Sequence, residues 1–88
     1  MIEKQYNITG GEGLHARPTS VLVAASAAFK SDISLEFNDK KVNLKSILGV
    51  MSLGVPSGAS IKISADGEDE EAAMAKIDDI MKNEGIGN

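Results

Sequence analysis

At 88 residues with no cysteine, the chain is long enough for one domain that buries a modest core, and disulfides and thiolate metal sites are excluded. A single histidine leaves only oxygen-ligand metal sites, and no calcium-binding loop pattern occurs, so no metal is expected. A net charge of -4, with one Tyr and two Phe, argues against nucleic acid and anionic membranes as partners; the lack of a signal-peptide pattern or an apolar run of bilayer length predicts a cytoplasmic protein.

Ile2, Tyr6 and Ile8 alternate with Glu3, Gln5 and Asn7, the period of a half-buried strand, with Lys4 as the one break in its apolar face. Gly10-Gly11-Glu12-Gly13 then forms a loop. A helix is predicted from about Ala16 to Ala28, with Pro18 in its first turn and a buried stripe through Pro18, Leu22, Ala25 and Phe29. Ile33, Leu35 and Phe37 alternate as a second strand. Asn38-Asp39, both tolerant of positive φ, turns the chain into a short returning strand from Lys40 to Asn43. Ser46 caps a short helix that Gly54 stops. Ala59, Ile61, Ile63 and Ala65 make a fourth strand, and Asp66-Gly67 turns the chain again. Asp69 or a neighbour caps a last helix with Glu70 and Glu71 in its first turn and Ala73, Ile77, Ile80 and Met81 on its buried face. Gly85 followed by Ile86 suits a Schellman stop, and Gly87-Asn88 is expected to fray.

The order β-α-β-β-α-β-α predicts an α+β fold: a four-stranded antiparallel sheet with three helices on one face. The other face is wet, supplied by Glu3, Gln5, Asn7, Ser34, Glu36, Lys62 and Ser64. The serines Ser31, Ser34, Ser57, Ser60 and Ser64 read as turn and wet-face residues.

The chemistry concentrates in Gly13-Leu14-His15-Ala16-Arg17-Pro18, which sets the only histidine where a loop enters a helix. A helix N-terminus has unpaired N–H groups and a partial positive charge, a ready anion site. Arg17 adds a fixed cation with a planar fork suited to phosphate. A lone histidine is usually a surface or cap residue. Here it is a poor N-cap, and Arg17 opposes the helix dipole, so two locally disfavoured residues stand side by side. Phosphate or anion handling and a purely structural role both stay open on chemistry alone. A second feature is the crowd of Ile47, Leu48, Val50, Met51 and Leu53 on one short helix, more than one face can bury. The surplus at Ile47, Leu48 and Met51 reads as a docking patch.

These two stretches, Gly13 to Pro18 and Val42-Asn43-Leu44-Lys45-Ser46-Ile47-Leu48-Gly49-Val50-Met51-Ser52-Leu53-Gly54, resemble HPr, the histidine-containing phosphocarrier family of the bacterial phosphoenolpyruvate:sugar phosphotransferase system. The likeness covers the whole chain, residues 1–88, as a single HPr-like domain, and its serine motif is similar to the version of low-GC Gram-positive bacteria. It implies an open-faced β-sandwich. It implies that His15 is phosphorylated at Nδ1, that Arg17 contacts the phosphoryl group, and that Ala16 and Arg17 bind the phosphate. Ser46 matches the serine phosphorylated by the ATP-dependent HPr kinase/phosphorylase.

The implied protein is a carrier, not an enzyme, without cofactors. It takes phosphate from enzyme I and gives it to sugar-specific IIA proteins. Ser46 phosphorylation makes it a corepressor for the catabolite-control transcription factor. A monomer is expected, with neither direct nucleic-acid binding nor membrane insertion. A regulatory paralogue of the family carries glutamine at the histidine position; His15 argues for the transport-competent form. Glu12 departs from the small hydroxyl or amide residue common in the family and is expected to point to solvent, as the bland alternative to tuning the transfer. Thr19 and Pro56 also depart, away from the inferred chemistry.

Overall fold

In the computed structural model, residues 1–88 form the strands β1 (Ile2–Asn7), β2 (Asp32–Phe37), β3 (Lys40–Asn43) and β4 (Ser60–Asp66) and the helices α1 (Ala16–Ala27), α2 (Ile47–Met51) and α3 (Glu70–Asn83). The chain order is β-α-β-β-α-β-α, as predicted. The sheet runs β1-β4-β2-β3, with every neighbouring pair antiparallel. The late strand β4 thus sits between the two early ones, pairing Tyr6 with Ile61 on one side and Leu35 with Ile63 on the other. Asn38 and Asp39 adopt φ of 51° and 64°, the primed turn that matches strand twist.

Period two sorts the strand residues cleanly. Tyr6, Ile33, Leu35, Ile61, Ile63 and Ala65 enter a cluster of 17 buried residues beneath the helices. On the opposite face Lys62 lies 3.6 Å from Glu3 and 3.7 Å from Glu36. That face is polar along its length and needs no covering layer. Ser64 is the exception within the wet set, buried to 5% exposure between its two neighbours. Lys4, the break in β1, stands on the helix-facing side and reaches Asp78 of α3 at 2.7 Å. Its long stem lets a cation stand at a strand position beside the core. No helix is long and apolar enough to cross a membrane.

Four local expectations are corrected. The deepest row of α1 is Thr19, Leu22, Val23 and Ser26, while Pro18, Ala25 and Phe29 are only half-buried. The helix is rolled so that two small hydroxyl residues, Thr19 and Ser26, are buried in full beside Leu22 and Val23. On α3 Met74 is buried and Ile80 only partly so. Asp69 is the N-cap residue but makes no side-chain cap bond. Its carboxylate accepts instead from the N–H groups of Lys30 and Ser31 at 2.8 and 2.9 Å, and from the Ser31 hydroxyl. Ser31 is accordingly buried and not a plain turn residue.

The last residues are also ordered rather than frayed. Gly85 has φ +64°, Ile86 N–H donates to Met81 and Gly85 N–H to Lys82, the two bonds of a Schellman stop. Beyond it Asn88 N–H donates to the Asn7 carbonyl at 3.0 Å, and Ile8 and Gly87 form a bridge. The segment pairs antiparallel with the end of the edge strand β1, whose free backbone groups attract a partner.

Candidate functional site

Two seams hold the loop before α1. Thr9 and Gly10 N–H groups both donate to the Ile86 carbonyl, at 3.0 and 3.2 Å. Leu14 N–H donates to Val55 at 3.0 Å while its side chain is buried. Between the seams Gly13 has φ +72°, and a Cβ there would stand 2.4 Å from the Val55 carbonyl oxygen. Only glycine satisfies both the torsion and the approach. His15 follows directly, with extended backbone angles, as the N-cap of α1.

The imidazole makes no side-chain cap bond. The helix begins its own bonding at Thr19, whose N–H donates to the His15 carbonyl at 3.2 Å. Three residues precede Thr19 in the first turn, and Pro18 has no N–H to offer. The N–H groups of Ala16 and Arg17 are therefore the free donors at this terminus. Arg17 is exposed and takes no part in the surface ion pairs. His15, Arg17 and Pro18 line a cleft of about 410 Å³ together with Gly10, Glu12, Gly13 and Val21. Its remaining wall is the C-terminal stop of α3, Glu84, Gly85 and Ile86.

That wall was not visible in the sequence as part of the site. Gly85-Ile86 signals a helix stop, and nothing local says that the stop is stitched to a loop more than 70 positions earlier. Glu12 is the other surprise. Its carboxylate does not simply face water: Oε2 lies 3.3 Å from His15 Nε2, although the side chain is 80% exposed.

Ser46, Ile47, Leu48 and Met51 lie outside the cleft. Ser46 caps α2, its hydroxyl accepting from Gly49 N–H at 3.1 Å. Val50 alone of that helix is fully buried, leaving Ile47 at 44%, Met51 at 38% and Leu48 at 83% exposure. The helix α2 packs against both α1 and β3. No group of three His, Asp or Glu side chains comes together to hold a metal ion.

The arrangement sets an uncapped imidazole beside two free backbone donors and an unpaired guanidinium, a geometry suited to a small anion. Residues 2–83 match the PTS-HPr family model, described as the PTS HPr component phosphorylation site. The chain belongs to the HPr family, the phosphocarriers of the phosphotransferase system, rather than to a family of catalytic enzymes.

Among solved structures it is similar to the histidine-containing phosphocarrier protein of Mycoplasma, at 38% identity over 99% of both chains with a TM-score of 0.96. It is also similar to HPr from Thermoanaerobacter tengcongensis, at 44% identity over 94% of this chain and 93% of that one, TM-score 0.90. A third is Crh of Bacillus subtilis, a catabolite repression protein described as a swapped dimer, at 39% identity over 96% and 97% of the two chains, TM-score 0.74.

Proposed function

We propose that His15 accepts a phosphoryl group from phosphorylated enzyme I and passes it to sugar-specific IIA proteins. The observation that carries this reading is the half-buried, uncapped imidazole set beside the free N–H groups of Ala16 and Arg17 and the unpaired Arg17 guanidinium. The Nδ1 lone pair attacks phosphorus, the bond from phosphorus to the donor group breaks, and its electron pair leaves with the donor. The two N–H groups and Arg17 hold the phosphoryl charge throughout. The chain works as one domain and as a monomer in the cytoplasm, without metal or nucleotide of its own.

Incubation with enzyme I and phosphoenolpyruvate, followed by mass spectrometry, is expected to place an acid-labile phosphate on His15. His15→Ala should abolish the label and keep the fold, since no side-chain cap bond is lost and caps contribute only about 1–2 kcal/mol. Undiminished labelling of that variant would end the assignment. Arg17→Ala should keep the label but slow transfer to a IIA protein.

Ser46 supports a second role. It caps the element that carries the exposed Ile47, Leu48 and Met51, and the resemblance of the surrounding motif supports reading it as the target of HPr kinase/phosphorylase. Phosphorylated there, the protein binds the catabolite-control transcription factor. ATP and the kinase should place an acid-stable phosphate on Ser46, and none should form in Ser46→Ala.

A further inference from the structure

We propose that Glu12 is a positioning residue for the His15 reaction, a role that rests on the phosphocarrier reading above. Its carboxylate, 3.3 Å from Nε2, keeps the proton on that nitrogen and so leaves the lone pair on Nδ1. The two ring nitrogens of a histidine are distinct, and the partner of one decides what the other does. The same carboxylate stabilises the ring as it becomes positive. When Nδ1 bonds to phosphorus and Nε2 keeps its proton, the imidazole carries a full charge until the group leaves. On departure the P–Nδ1 bond breaks, its electron pair returns to Nδ1, and the ring is neutral again. A carboxylate that orients an imidazole and stabilises its cation is the third member of a nucleophile–base–orienter set; here the imidazole is itself the nucleophile.

The loop delivers Glu12 to this place by backbone geometry. Gly13 N–H donates to the Gly10 carbonyl at 3.0 Å, closing a tight turn with Gly11 and Glu12 at its centre. Gly13 is then fixed against Val55 and Pro56. Glu12 has no other ion-pair partner than His15.

Its position also answers the objection that an anion should repel a phosphoryl group. The contact is at Nε2, 3.3 Å away and on the ring edge away from Nδ1, so the carboxylate's attraction for positive charge on Nε2 acts at close range while its repulsion of a group on Nδ1 acts at longer range through water. The other charged groups lining the cleft are Arg17 and Glu84; Arg17 has no carboxylate partner of its own and stays free for the incoming phosphate.

The test uses the full chain with 15N-labelled histidine, as wild type, Glu12→Gln and Glu12→Ala. Matched circular dichroism and melting curves confirm that the three are folded alike. The 15N shifts of neutral His15 are expected to show the Nε2–H tautomer in wild type and a severalfold larger Nδ1–H fraction in Glu12→Ala. Phosphorylation by enzyme I and onward transfer to a IIA protein should both slow roughly two- to fivefold in Glu12→Gln, the size expected for contact with an exposed carboxylate. An unchanged tautomer ratio in Glu12→Ala, unchanged rates, or faster transfer in Glu12→Gln would each overturn the role. Failure of wild type to take phosphate on His15 would instead overturn the phosphocarrier reading, and the tautomer measurement, which needs no partner protein, still decides whether Glu12 orients the ring.

Discussion

Gly13 shows how much of the site depends on one missing Cβ. Its φ of +72° disfavours any L side chain, and the Val55 carbonyl oxygen stands where a Cβ would go. The obstacle is backbone, which cannot swing aside as a side-chain end can. Gly13→Ala is expected to cost about 2–4 kcal/mol, the sum of left-handed strain and overpacking. Urea denaturation measures it, and a midpoint equal to wild type would show that the loop relaxes freely. Because His15 lies two residues on, the same change should also slow phosphorylation by enzyme I. The glycine was legible in the sequence as a loop residue; the reason it must be glycine belongs to residues 55 and 56, which no local pattern connects to it.

At the scale of elements, α3 is tied down by two carboxylates, Asp69 at its N-cap and Asp78 within its second half; the sequence offered the first only as a cap and gave no sign of the second's partners. Asp69 accepts three hydrogen bonds from Lys30 and Ser31, and these hold its pKa down to about 2. Asp78 accepts from Lys4 and Tyr6 and pairs with Lys82 at 3.0 Å, and the Lys4 bond leads in lowering its pKa to about 2. Burial pushes the Tyr6 hydroxyl up, with the bond to Asp78 adding to it. Both carboxylates are depressed from an ordinary value of 3.8, so folded protein prefers them ionised. Their stabilisation is complete above about pH 4 and is lost as pH falls through about 2. Acid unfolding followed by circular dichroism should therefore set in across that window, and Asp69→Asn should flatten the dependence there. A pH profile identical to wild type would remove Asp69 from the account.

For the whole molecule, the two faces of the sheet divide the labour. The open face is polar, with Lys62 between Glu3 and Glu36, and offers nothing apolar to a partner. The helical side carries Leu48, Ile47 and Met51 exposed on α2, an apolar group of the kind that docks partners. Met51→Glu is expected to weaken binding to enzyme I at least several-fold while changing stability by less than about 0.5 kcal/mol, the usual range for an exposed position. Calorimetry giving wild-type affinity would remove the patch from the interface.

A phosphoserine at position 46 brings close to two negative charges to a chain already at -4. It should slow encounter with an acidic enzyme I without altering the fold. Ser46→Asp, with about half that charge, should reproduce part of the slowing at low ionic strength and lose it at high salt, where screening shortens to about 3 Å at 1 M. Equal phosphorylation rates at low salt would refute the switch, and slowing that salt does not relieve would reject its electrostatic cause.

What the sequence determined by itself was whatever depends on neighbours along the chain. Period-two alternation marked the strands, helical spacing and caps marked the helices, and Asn38-Asp39 and Gly85-Ile86 marked turns that the structure forms as predicted. His15 and Arg17 stood out because each is disfavoured locally where it stands. Only the tertiary structure decided matters of non-local geometry. It rolled α1 so that Thr19 and Ser26 face inward, and it drew Asp69 away from its own helix to residues 30 and 31. It brought Glu84 to Ile86 against the His15 loop and bound Asn88 to Asn7. The physical reason is common to all of these. Alternation and capping act over a few residues and leave a signature in the local pattern. A contact between distant segments is set by how the layers pack, and its partners are chosen for shape and hydrogen-bonding reach that no stretch of sequence displays alone.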